Sequence, residues 1–131
     1  MFRALLIISD ATWFYIPESG YFWLNYFTGY GATLESIKRL AALDAKILFL
    51  SHNVVIKDAE DVKAFFVAAI ATTESYHERI IRELESGKSP EEIAKQLGIE
   101  VYENTPLLNV EFFQKNCELL VKQSAKYSQS D

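Results

Sequence analysis

Residues 46–50, Lys46-Ile47-Leu48-Phe49-Leu50, form a near-continuous apolar run that ends on Ser51-His52-Asn53. Bulky apolar residues in succession, without alternation, are the pattern of a strand buried on both faces, as in parallel sheets covered by helices. A helix-like segment precedes this run and a very long one follows, so the chain reads as α/β. A polar residue just past the carboxyl end of such a strand lies where open α/β sheets bind their ligands. One histidine there reads most simply as a strand-end side chain satisfied by hydrogen bonds. A second strand ends the same way: Ala4-Leu5-Leu6-Ile7-Ile8 runs into Ser9-Asp10-Ala11. An acid, Asp10, and an imidazole, His52, thus stand at the carboxyl ends of two apolar strands. Carboxylate oxygen and imidazole nitrogen suit zinc, iron or manganese. Structural zinc takes four ligands and catalytic zinc about three plus water, so these two make half of a site.

Length and composition narrow the class. At 131 residues the chain is one domain's worth, long enough for a real core. Nine Phe, seven Tyr and two Trp in a chain that is 50% hydrophobic exclude disorder. A formal charge of -5 argues against a nucleic-acid surface, which needs a basic patch. No run approaches the ~18 apolar residues of a membrane span. Met1-Phe2-Arg3 leads straight into a strand pattern, with neither the charged region nor the cleavage site of a signal peptide. The single cysteine, Cys117, excludes an internal disulfide and fits a reducing cytoplasm. Its apolar helical surroundings make it a buried, inert thiol.

Along the chain, residues 4–8 are the first strand and Thr12 to Ile16 the second, stopped by Pro17. Ser19-Gly20 marks a turn. The aromatic-rich stretch that follows, with Tyr21, Phe22, Trp23, Tyr26, Phe27 and Tyr30, reads first as core packing and second as a pocket wall over Asp10. Thr33 is expected to cap a helix through Leu34, Ile37, Leu40 and Leu43. After strand 46–50, residues 53–56 form a short extended piece. Asp58 caps the longest helix, whose stripe runs from Val62 to Leu84 and which Gly87 stops. Ser89-Pro90-Glu91-Glu92 restarts a helix with Ser at N-cap, Pro at N1 and Glu at N3. Gly98 is expected to end it, 99–108 to be an extended link, and 109–126 to form a last amphipathic helix.

Two side motifs weigh little. Glu74-x-x-His77 has the spacing of a di-iron helix, but those bundles need the motif twice, so a solvated salt-bridging face is the better reading. Residues 91–99 resemble the first helix and turn of a helix-turn-helix DNA binder, yet no Arg or Lys follows until Lys115.

The order of these pieces resembles the C-terminal half of a metallo-β-lactamase-superfamily hydrolase of the glyoxalase II-like branch. The order is apolar strand, Ser9-Asp10-Ala11, aromatic segment, a Thr33-Leu34-Glu35-Ser36-Ile37 helix, a strand ending Ser51-His52-Asn53, a long helix and a Ser89-Pro90-Glu91-Glu92-Ile93 helix. The resemblance covers about residues 4 to 98. It implies that Asp10 bridges two metals and that His52 anchors the second. Ser9, Ser51 and Asn53 stand where that family has glycines, and its His-x-His-x-Asp-His motif does not occur in these 131 residues.

The resemblance thus implies half of an αβ/βα sandwich: a short mixed sheet with helices on one face, plus a C-terminal helical extension. Residues 1–57 hold strands, aromatic segment and first helix; 58–131 hold the long helix and the extension. It further implies part of a metal-dependent hydrolase of ester, thioester or lactam bonds, using zinc, iron or manganese and inactive as this chain alone. The competing expectation is a non-catalytic structural or protein-interaction module. In either case a bare sheet face is expected to drive self-association or recruit a partner chain. Neither nucleic acid nor membrane is an expected partner, and the expected location is cytoplasmic.

Overall fold

The computed structural model describes residues 5–7, 13–24, 26, 29–50 and 54–129. Nine elements follow in order: β1 (Leu5–Ile7), β2 (Trp13–Ile16), β3 (Tyr21–Leu24), α1 (Tyr30–Ala41), β4 (Ile47–Leu50), β5 (Val54–Ile56), α2 (Ala59–Glu85), α3 (Pro90–Asn104) and α4 (Val110–Gln129). The protein is mixed α/β, and helix predominates: strands are three or four residues long, whereas α2 and α4 run to 27 and 20.

Among the described residues the strands form two small sheets. β1 and β4 are parallel neighbours, with Leu5 opposite Ile47, Leu6 opposite Leu48 and Ile7 opposite Phe49. β4 turns back antiparallel into β5, with Leu48 opposite Ile56 and Leu50 opposite Val54. The order β1-β4-β5 makes this a mixed sheet. The second sheet is the β2–β3 hairpin, Trp13 opposite Leu24 to Ile16 opposite Tyr21. Gly20 closes its turn at φ 71, a conformation glycine adopts without steric cost. The first part of the aromatic segment is therefore strand, paired to the run that Pro17 stops.

Strand alternation divides the three-stranded sheet into two faces. Leu48 is fully buried beneath α1 and α2, whereas Phe49 and Val55, opposite each other on the outer face, are each 38% exposed.

Asp58 caps α2 as the sequence predicts, its Oδ1 accepting the Glu60 amide at 2.8 Å. Ser89 caps α3, accepting the Glu92 amide at 3.2 Å, with Pro90 at the first helical position. Other boundaries differ from expectation. Thr33 is not a cap: α1 starts at Tyr30 after Gly29, at φ 126, and Thr33 lies buried in the first turns. Glycine at φ 126 turns the chain in four residues early, at Gly29 instead of Thr33, and Gly31 lets α1 approach Tyr127, whose ring would lie 2.8 Å from an added Cβ. This helix also ends before Leu43, with Asp44 in the left-handed region at φ 54.

Nor does Gly98 end α3, which continues to Asn104 and stops at Thr105-Pro106. The expected extended link is helical over its first half, and the helix-turn-helix turn is not formed. The reason is packing. A Cβ on Gly98 would meet the Gln114 backbone at 2.6 Å, so glycine here permits close approach of α4 rather than a break.

Two apolar clusters form the core. One joins Phe22, Ile37, Ala45, Leu48, Val62, Phe65, Phe66 and Ala69 between the sheets, α1 and the first half of α2. The other joins Tyr26 and Tyr30 to Ile80, Ile93, Leu97, Val101, Phe113, Cys117, Leu120 and Val121 among the helices. α2 belongs to both. No helix among the described residues is long and apolar enough to cross a membrane.

Candidate functional site

The two sequence-predicted ligands, Asp10 and His52, lie outside the described residues, as do Ser9, Ser51 and Asn53. What is described is the pair of strands that lead to them. β1 and β4 are parallel, and Ile7 stands opposite Phe49. The chain therefore leaves both strands at the same end of the sheet. Asp10 follows three residues after Ile7, and His52 two residues after Leu50.

The second histidine was expected on a solvated face. Instead His77 is half-buried against side chains of α1 and α4. Its ring stacks on Tyr30 at a centroid distance of 3.9 Å and 12° between planes, and Tyr127 meets it edge-on at 5.4 Å. Its Nδ1 is 3.0 Å from the Ser124 hydroxyl, which is also hydrogen-bonded to the Tyr26 hydroxyl. Burial, with the nearby charges of Glu74, Tyr127 and Glu78, pushes the Tyr30 phenol up to about 12. The cluster ties α1, α2 and α4 together. Ser124 is fully buried, so its hydroxyl is closed to a substrate. No local pattern signals it, because His77 and Ser124 are 47 residues apart.

Ion pairs on α2 form instead two residues beyond His77, at Arg79. Arg79 holds Glu100 of α3 through two hydrogen bonds of 2.7 and 2.6 Å and Glu83 through one of 3.1 Å. The guanidinium keeps the Glu100 carboxyl below its ordinary range, and Lys88 and Arg79 do the same for Glu83. Cys117 is buried as expected, and burial pushes its thiol up to about 12, so it stays protonated and inert. No group of three or more His, Cys, Asp or Glu among the described residues is arranged to hold a metal ion.

A concavity lies elsewhere. A groove of about 1190 Å³ lies between the hairpin, β5, α2 and the α3–α4 loop. Its apolar floor is made by Tyr15, Phe22 and Phe65, whose rings contact one another at 4.8 to 5.3 Å. Glu18, Lys57 and Asp61 bring charge to its lining. Phe22 thus belongs to both core and groove; the expected wall over Asp10 falls on a residue outside the described ones.

No family model matches this chain, and no curated protein sequence matches it.

Proposed function

We propose that this chain is the sheet-bearing part of a metal-dependent hydrolase, contributing Asp10 and His52 to a site that other ligands must complete. The observation that supports the reading is the parallel pairing of β1 with β4. Parallel neighbours lie about 4.8 Å apart, and the segments carrying the acid and the imidazole leave the same end of both. That is the end at which open α/β sheets bind ligands. The donor types suit zinc, iron or manganese. Their number falls short of the three protein ligands that a catalytic zinc takes. This chain's two donors do not by themselves fit the metal, and no step of hydrolysis is assigned to it. The outer sheet face, with Phe49 and Val55, supports the companion reading that the sheet is half of an αβ/βα sandwich awaiting a second layer.

Zinc titration followed by amide NMR tests the proposal. The expected result is weak binding that shifts the amides of residues 9–11 and 51–53 together and disappears in both Asp10→Ala and His52→Ala. Zinc binding unaffected by either substitution would sink it.

The exposed Phe49–Val55 face also favours a second reading, a non-catalytic interaction module that needs no metal. Under that reading neither substitution alters any ligand, whereas Phe49→Lys weakens association.

A further inference from the structure

The groove beside β5 has a feature that an ordinary apolar cleft lacks. A strand's face shows every second residue to a neighbour, because successive side chains point to opposite sides. Here Val54, Val55 and Ile56 all line the groove in succession, and so do Tyr15 and Ile16. Consecutive residues line one space when it is the strand's edge that borders it. The sheet order agrees: β5 pairs only with β4, and β2 only with β3, among the described residues. The groove is therefore bordered by two strand edges that, among the described residues, carry backbone N–H and C=O groups without a sheet partner. Such edges are templates for another strand.

We propose that this groove docks an extended segment of a partner polypeptide, which adds a strand to β5, β2 or both. Backbone pairing supplies the affinity, and pockets for alternate side chains supply the selectivity. The ladder is short, since β5 offers three residues and β2 four. Alternate side chains of the guest enter the floor of Tyr15, Phe22 and Phe65, so they are apolar. Glu18 and Asp61 outnumber Lys57 among the lining charges, so the guest carries a basic residue. At the far wall Thr105 is 2% exposed and its hydroxyl has no hydrogen-bond partner among the described residues. Small exposed residues on α2, Ala64 and Ala68, leave the entrance open. This site is independent of Asp10 and His52.

The probe is a short synthetic peptide of alternating valine and lysine, alongside the same peptide N-methylated at alternate backbone nitrogens. Methylation removes donors and leaves the side chains, so it separates strand pairing from simple apolar filling. Binding is read by amide NMR with hydrogen exchange. The expected result is slowed exchange at amides of β5 or β2, with about tenfold weaker binding for the methylated peptide, the equivalent of roughly one net hydrogen bond. Ala68→Trp fills the entrance from an exposed helix position and is expected to weaken binding by a similar factor while the spectrum stays folded. Equal affinity for both peptides, or no shift at β5 and β2, would overturn the proposal. So would protection of the same amides by dimerisation without peptide, which would make a second copy the occupant.

Discussion

The sheet end and the helical end of this molecule bury apolar surface in different ways. At the helical end, α3 and α4 pack so closely that only glycine fits at position 98, and Phe113, Leu97, Ile93 and Ile80 are all essentially inaccessible. Each element there is covered on its apolar side by another helix near in sequence. At the sheet end, Leu48 is buried by α1 and α2, but Phe49 and Val55 on the opposite face are exposed and a large groove opens beside β5. A helix of period 3.6 hides one stripe and is finished. A strand with apolar residues on both faces needs two layers, and the described residues supply one. Closed packing at the helical end and open packing at the sheet end thus follow from the same rule applied to different elements.

Phe113→Ala should produce the largest loss. The side chain is fully buried and meets Trp23 edge-on at 5.1 Å, so truncation should cost about 3–5 kcal/mol in urea unfolding. Leu48→Ala, at the centre of the sheet end, should cost about 2–3 kcal/mol, the lower part of the range for such truncations, because the open surroundings allow more collapse. Since α2 runs through both clusters, each variant should still unfold in a single transition seen alike by circular dichroism and tryptophan fluorescence. Two separated transitions would show that the two ends fold independently.

Gly98→Ala tests the closeness of α3 and α4. Overpacking costs typically 1–3 kcal/mol and better helix propensity returns about 1, so a net loss of about 1–2 kcal/mol is expected. A stabilised variant would mean that the helices separate freely.

The Arg79–Glu100 pair gives the helical end a pH dependence. Glu100 is held below its ordinary value of 4.5, chiefly by its hydrogen bonds to Arg79. A depressed carboxyl stabilises the fold above the unfolded-state value and loses that contribution as pH falls through the folded-state value. The natural chain should therefore lose more stability than Glu100→Gln does as pH falls below the ordinary carboxylate range. Parallel melting curves for the two chains across that window would remove the pair from the account.

Phe49→Lys should have the smallest effect on folding, within about 0.5 kcal/mol, because its side chain is on the open face. Light scattering should show less self-association than for the natural chain. A large loss of stability would mean that the face is covered after all.

The sequence by itself determined the elements whose signals are local. The Asp58 and Ser89-Pro90 starts, the two apolar strands, the stop at Gly87 and the buried Cys117 follow from chemistry within a few residues. Only the tertiary structure decided the role of Gly98, because its neighbour is Gln114 on the next helix and the same residue type ends helices elsewhere. The same holds for His77, whose partners Tyr30 and Ser124 lie 47 residues to either side of it. The parallel pairing of β1 with β4 and the groove between β5 and the hairpin also join segments distant in sequence. Local propensity carries no record of such contacts; they exist only once the chain has closed on itself.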